Sequence, residues 1–382
     1  MRYALKLRQH PSHPTYPCVF SEDVLSIFDG GSQTSLPFGQ RVRDLAERSG
    51  VTLRQVMRVD PTPLPPWRFI RPRINLSLAD ARKSEITAVE SRSRAMELLA
   101  SYDGFMLTFT DGSRSNEGAG CAFVANGATR SFSLPNDASV FTTELVAVYK
   151  ALCFIEVGDE DLHLILSDSL SSLLALRSFY PSHPLVQDIL TRLTSLDQAG
   201  KSVQFCWIPS HVGITGNELA DAAARRAASA PCTRRFPLPA RDLFPAVSRF
   251  VHSQWQEAWD AQVSNKLRAI EPALRRWESS SRRRRKEEVA LCRLRIGHTY
   301  ATHGYLLRGK DRPECSQCGE PLTVAHVLLT CPRLAGMRSQ HLGHLPPTVS
   351  LSHLLGDDSL WIHYGTIFSF LYPRGKVPNH VS

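Results

Sequence analysis

The sequence predicts an α/β fold: a mixed five-stranded sheet with helices on its faces, in the order β-β-β-α-β-α-α-β-α over residues 104–228. A mostly helical C-terminal region with a small zinc-binding motif follows. Three observations carry this expectation. Apolar runs of strand length alternate with stretches whose apolar residues recur at helical spacing. Gly, Pro, Asn and Asp punctuate the runs. Four acidic residues fall beside the ends of successive elements, where a sheet can gather side chains from distant parts of the chain.

The elements follow in order. Phe105-Met106-Leu107-Thr108-Phe109-Thr110 reads as a buried strand stopped by the turn pair Asp111-Gly112. Gly118 to Val124 and Thr129 to Leu134 read as two further strands with short connections, completing an antiparallel meander. Ser139 to Glu156 places Phe141, Leu145, Val148, Leu152 and Ile155 on one helical stripe. Leu162 to Ser167 is a fourth strand. Helical patterns cover 169–179 and 184–198, with Pro181 and Pro184 between them, and Val203 to Ile208 is a fifth strand closed by Pro209. The run Thr215-Gly216-Asn217-Glu218 has the spacing of a capping box and opens a helix to about Ala228.

The flanks differ in character. Pro61, Pro63, Pro65 and Pro66 crowd before Trp67, with Pro72 after it, a density that packed helices and central strands do not accommodate. Residues 1–101 therefore read as connecting material, with a polar helical pattern from Ser77 to Ala100. Pro231 to Pro239 breaks the central block from the next. Residues 240–310 read as mostly helical, with Trp255, Trp259 and Trp277 at helix-compatible spacings and the basic run Arg282 to Lys286.

At 42% hydrophobic and 21% charged residues, the composition is that of an ordinary globular protein. No apolar run reaches the roughly 20 residues of a membrane helix, and the N-terminus lacks a signal-peptide core, so an intracellular protein without membrane contact is expected. Nine cysteines, an odd number scattered over 382 residues, argue for reduced thiols rather than a disulfide framework. Residues 1–101 carry a net charge of +5, residues 102–230 a net −6 and residues 231–382 a net +10. The acidic central block is a poor attractor of phosphate, so nucleic-acid affinity is expected to come from the flanks or a partner domain.

The acidic residues are Asp111, Glu144, Asp168 and Asp221, and His211 precedes the last by ten positions. Taken singly, each has an ordinary explanation: a turn for Asp111, a first-turn acid for Glu144, a helix cap for Asp168 and an exposed loop for His211. Carboxylates that converge from separate elements repel one another and resist desolvation, and a fold keeps such a cluster mainly when divalent cations neutralise it. Hard ions such as Mg²⁺ or Mn²⁺ suit these ligands, and a pair of them suits phosphodiester hydrolysis.

These residues stand in Thr110-Asp111-Gly112-Ser113, Thr143-Glu144-Leu145, Ser167-Asp168-Ser169 and Trp207-Ile208-Pro209-Ser210-His211-Val212-Gly213-Ile214-Thr215-Gly216-Asn217-Glu218-Leu219-Ala220-Asp221. In this order the four motifs resemble type 1 ribonuclease H over residues 104–228. The resemblance implies cleavage of the RNA strand of RNA–DNA hybrids. It implies two Mg²⁺ ions on Asp111, Glu144, Asp168 and Asp221, and His211 on a mobile loop assisting proton transfer or product release. Asn217 is expected to contact the metal-site water or substrate, and Gly112 and Ser113 to let the nucleic-acid backbone approach. Some members carry a basic segment between the two middle helices; here that stretch is Tyr180-Pro181-Ser182-His183, without Lys or Arg.

Cys315, Cys318, His326 and Cys331 follow a C-x2-C-x7-H-x4-C spacing suited to a closed, structural Zn²⁺ site, with His298 and His303 as spare donors. The segment from Arg293-Leu294-Arg295-Ile296-Gly297-His298 to Cys331-Pro332 resembles the region after ribonuclease H in arthropod non-LTR retrotransposon polyproteins. That likeness implies three parts: 1–101 as linker and trailing end of a reverse-transcriptase region, 102–230 as the ribonuclease H domain, and 231–382 as a helical region with the CCHC motif at 315–331. It implies a reverse transcriptase of the same element as a partner, and a C-terminal piece or truncated copy of such an element. Two other readings are a catalytically idle nucleic-acid-binding remnant and a domain supporting an assembled polymerase. Integrases and transposases also use acids, but the Ser-His-Val-Gly-Ile-Thr-Gly-Asn run argues against them.

Overall fold

The computed structural model describes residues 1–23, 36–59, 65–79, 86–232, 236–276, 285–342 and 349–356. The chain packs as two compact units, Met1–Arg249 and Phe250–Ser382.

The first unit opens with helices α1 (Arg2–Arg8), α2 (Tyr16–Phe20) and α3 (Phe38–Arg48). Strand β1 (Arg73–Asn75) and helix α4 (Ala88–Ala100) lead into β2 (Met106–Arg114), β3 (Ala119–Ala125) and β4 (Ala128–Leu134). Then come α5 (Val140–Val157), β5 (Leu162–Ser167), α6 (Leu170–Leu176), α7 (Pro184–Gln198), β6 (Ser202–Trp207) and α8 (Thr215–Ala228). Helix α9 (Phe244–Asp260) begins in this unit, and Trp255 and Trp259 lie on its part beyond Arg249, in the second.

The expected order of elements holds from β2 to α8. The strands form one sheet in the order β1-β6-β5-β2-β3-β4, with β2, β3 and β4 antiparallel and β1, β6, β5 and β2 parallel. The sheet has six strands where five were expected. The extra one, Arg73–Asn75, pairs with Gln204–Cys206 at the edge, directly after Pro72. A three-residue edge strand tolerates such a neighbour because only one of its sides is paired.

Period-two alternation sorts the strands onto two faces. Ile165 and Phe205 point into the main core with α5 and α7, while Leu164, Leu166 and Cys206 point to a second core with Ala95, Leu99 and Ile214. On that second side α8 lies very close to β3. A Cβ on Gly120 would stand 2.4 Å from the Ala228 nitrogen, and Ala122 packs on Ala223 and Ala224. Small residues on both surfaces let helix and sheet backbones approach.

Residues 1–101 are not the connecting material that the proline count suggested. Leu5, Val51, Val56, Met57 and Phe69 are buried in the main core together with Leu238, Ala240, Leu243 and Val247 from beyond α8. The Leu238 carbonyl accepts from Met57 N–H at 2.8 Å, and Leu238 N–H donates to the Gln55 carbonyl at 2.7 Å. Of the clustered prolines, Pro61 and Pro63 lie outside the described residues. The capping box is also absent. Helix α8 has Ile214 at its N-cap with no side-chain cap, and the Glu218 carboxylate instead accepts from Gly213 N–H at 3.3 Å.

The second unit is mostly helical, as expected, with α10 (Lys266–Ile270), α11 (Arg285–Ile296), α12 (Tyr300–Arg308), a wide π turn (His326–Thr330), α13 (Ala335–Leu342) and α14 (Leu351–Leu355). Its core is a small cluster of Ile270, Leu291, Leu294, Val324, Leu328, Leu354 and Leu355. Trp277 and Arg282 to Arg284 lie outside the described residues. Among the described residues no helix is long and apolar enough to cross a membrane.

Candidate catalytic site

The sheet places the acids by register. Thr110 of β2 pairs with Ser167 of β5, so Asp111 and Asp168 each follow one member of an aligned pair. Asp111 does not end its strand. β2 runs on to Arg114 and Asp111 pairs with Ala122 of β3, because the β2–β3 ladder outlasts the β2–β5 ladder. The Asp-Gly pair is therefore strand, not turn.

Glu144 arrives on α5, capped by the Ser139 hydroxyl accepting from Thr142 N–H at 3.2 Å. Gly112 sets how close that helix can come. A Cβ there would lie 2.4 Å from the Glu144 nitrogen and 2.5 Å from Thr143 Oγ1. The close approach that Gly112 permits is thus to α5. Its N–H also hydrogen-bonds the Asp111 and Glu144 carboxylates. Ser113, the next residue, is partly exposed.

One carboxylate oxygen from each of Asp111, Glu144 and Asp168 lies within 4.8 Å of the others. Asp221, buried one turn and a half into α8, is not within that 4.8 Å group of three, but its charge adds to the upward push on Asp111 and Glu144. Burial raises the Asp111 carboxyl to about 7, with Asp168 and Asp221 pushing the same way. Burial, then Asp111 and Asp168, lifts Glu144 well above the usual carboxylate range. Asp168 is raised by burial and partly relieved by Asn217 and His211. These are the marks of carboxylates assembled without their counter-charge.

Asn217, 1% exposed, donates from Nδ2 to Asp168 Oδ2 at 3.3 Å. Its Oδ1 and Glu144 Oε2 are buried oxygens with no hydrogen-bond partner. Orphaned acceptors among crowded carboxylates fit a cation, since a buried acceptor without a donor is otherwise costly. His211 sits in the loop before α8 at φ 55°, in the left-handed region, with its side chain 69% exposed and Nδ1 3.8 Å from Asp221 Oδ2. His211, Glu218 and Asp221 also bring one ligand atom each within 4.8 Å of one another.

Sequence reasoning missed two contacts. Trp207 Nε1 donates to the Asp168 carbonyl at 3.0 Å, which fixes the backbone at the exit of β5. Arg225 ion-pairs with Asp221, a contact that the i, i+4 spacing on one helix could have shown. The Trp207 contact had no local signal because its partners belong to different strands.

The family model for RNase H matches residues 103–229. That stretch is an RNase H domain. The match covers β2 to α8 and contains all four acids, His211 and Asn217. Every residue of the main core from 1–101 and 238–247 lies outside it. No curated protein matches the chain.

The second unit holds its own ligand group. Cys315 Sγ and Cys331 Sγ are 3.6 Å apart, and Cys318 Sγ is 3.3 Å from His326 Nε2. Ligand atoms of Cys315, His326 and Cys331 lie within 4.8 Å of one another, with Cys318 beside His326, separations near the roughly 3.5–3.8 Å between ligands of tetrahedral zinc. The π turn orients His326, whose Nδ1 lies 3.2 Å from Thr330 Oγ1. Backbone hydrogen bonding from Gln317, then the contact with His326, holds the Cys315 thiol down to about 6. His298 and His303 stack on each other, ring centroids 3.9 Å apart, and belong to no ligand group among the described residues.

Proposed function

We propose that the RNase H domain hydrolyses the RNA strand of RNA–DNA hybrids with two divalent ions, Mg²⁺ or Mn²⁺, held by Asp111, Glu144, Asp168 and Asp221. The observation that carries this reading is the convergence of carboxylates from separate elements around a buried, partnerless Glu144 oxygen. Such ions would activate the attacking water and stabilise the leaving 3′ oxygen. The chain's own residues do the rest. Asn217 and Trp207 set the orientation of Asp168 from its side chain and its carbonyl. His211, exposed beside Asp221, can pass a proton to the departing group or help release product. Gly112 and Ser113 lie next to Asp111, where small groups and backbone can meet the 2′-hydroxyls that distinguish RNA.

We further read Cys315, Cys318, His326 and Cys331 as a structural Zn²⁺ site, closed because all four positions are protein ligands. The chain is proposed to derive from an arthropod non-LTR retrotransposon, to work inside the cell, and to act with the element's reverse transcriptase.

The test is cleavage of a fluorescent RNA–DNA hybrid in Mg²⁺ by the full chain and by Asp168→Asn. Cutting by the parent alone is expected. Absence of cutting by both would leave an idle binding remnant in place of the enzyme.

A further inference from the structure

The loop that carries His211 rests on a helix from outside residues 103–229. Ile208 follows β6, and its N–H donates to the Ser167 carbonyl at 3.1 Å, beside Asp168. The loop therefore starts at the carboxylate end of the sheet. It closes at Ile214, the N-cap of α8. Ile208 and Ile214 are both buried in one cluster with Ala95 and Leu99 of α4, and Val212 packs against the same cluster.

The direction of α4 brings its first turns to that end. The helix finishes at Ala100, and the chain passes through Tyr102 and Phe105 into Met106, level with His163 near the start of β5. Helix α4 thus runs against the parallel strands. Its 13 residues, like the six of β5, span about 20 Å. Arg92, in its second turn, lies against the loop. A Cβ on Gly213 would stand 3.5 Å from Arg92 Nη1 and 3.8 Å from Arg92 Cδ and Cζ, ordinary contact distances.

The loop needs such support. His211 and Gly213 both hold positive φ, 55° and 82°. Left-handed backbone at a residue other than glycine persists where the surroundings over-determine it. Within the loop the Gly213 N–H is tied to Glu218 Oε1 at 3.3 Å. Helix α4 adds an apolar floor under both ends and a guanidinium against the glycine two positions after His211. A histidine that passes protons must keep its ring within hydrogen-bond reach of the reacting oxygen, and a displacement of about 1 Å can cost about 100-fold in rate.

We propose that Arg92 is a positioning residue: standing on α4, it holds the His211 loop in its working conformation without touching the substrate. This deepens the nuclease reading and rests on it.

The test compares the full chain with Arg92→Ala, His211→Ala and the double variant. Arg92 is exposed, and unchanged thermal melting confirms that each form folds. On a fluorescent RNA–DNA hybrid in Mg²⁺, Arg92→Ala should lower kcat roughly tenfold at unchanged KM. In the His211→Ala background the same substitution should leave kcat nearly unchanged, because the group that it positions is gone. An equal fall in both backgrounds would mean general scaffolding and would overturn the role. A raised KM with kcat intact would mean that Arg92 meets the hybrid, and would overturn it equally. Exchange of the Gly213 amide in metal-free protein is read separately, and Arg92→Ala should speed it. Faster exchange with no cleavage by the parent keeps the loop support and removes the nuclease. Cleavage by the parent with exchange unchanged in Arg92→Ala keeps the nuclease and removes the support.

Discussion

The carboxylate group of the first unit and the Cys/His group of the second are built in opposite ways. The former draws on β2, α5, the exit of β5 and α8, residues brought together by sheet register and helix packing. The latter lies within Cys315–Cys331 and is assembled by a turn and one π-helical turn. A continuous core of leucines, isoleucines, valines and phenylalanines on the α5 face of the sheet holds the carboxylates in place against their own repulsion. Among the described residues the Cys/His group has behind it the small cluster around Leu291 and Leu328. The difference predicts that an ion at the first site would serve chemistry and an ion at the second would serve folding. The scaffold of the first stands by itself and stores electrostatic stress, while the second would take its shape from a bound metal.

The largest expected effect falls on the second site. Structural zinc in finger-type peptides contributes about 10–16 kcal/mol of apparent binding energy, more than a small satellite core supplies. Chelation, or Cys318→Ser, should therefore release one zinc and melt the fold around residues 315–331, while the first unit keeps its melting transition. Elemental analysis of protein purified under reducing conditions checks the metal, and amide-exchange protection checks the melting. Absence of zinc would break the contrast at once. At the first site the order is reversed. Asp168→Asn should lower hybrid cleavage by several orders of magnitude without unfolding anything. Parallel loss of thermal stability would mean that the acid is structural.

Leu5→Ala sharpens the same comparison. Leu5 is fully buried in the core beneath the sheet, so its truncation should cost about 2–5 kcal/mol and lower the melting temperature of the first unit. A null effect would mean that the flank is not part of the scaffold. This is also where the sequence was least legible. The strands and helices from Phe105 to Ala228 announce themselves through local periodicity, and the four acids through their motifs. Residues 1–76 gave no such signal, since Leu5, Val56 and Phe69 are isolated apolar residues that acquire partners only through the fold, whereas the helical pattern before Ala100 does appear as α4. The same reason hid Trp207, whose indole meets the Asp168 carbonyl across strands, and the role of Gly112 in admitting α5. The proline cluster misled because it was read as a property of the whole segment, when a few residues on either side of it are tightly packed. The Cys/His spacing, by contrast, could be read directly, because the residues that it brings together are local in sequence.

The smallest effect isolates the stored stress. The folded carboxyl of Asp111 ionises near pH 7, raised from 3.8, chiefly by burial and then by Asp168 and Asp221. A raised folded value means that the folded state holds a proton which the unfolded chain has already lost between these limits. Its contribution to stability is therefore full at low pH and declines as pH rises toward about 7. In ion-free protein Asp111→Asn, which cannot ionise, should melt close to the parent at or below about pH 4. It should melt higher than the parent at about pH 8, by a few degrees for each kcal/mol relieved. Adding Mg²⁺ should abolish the gap, because an ion favours the charged carboxylate in the parent and has lost a ligand in the variant. Melting curves of the two proteins over this range, with and without Mg²⁺, give the result directly. A gap that stays constant with pH would mean that the carboxylates are not under mutual stress. The assembled-without-its-ion account of the first site would then fail, even if cleavage itself were observed.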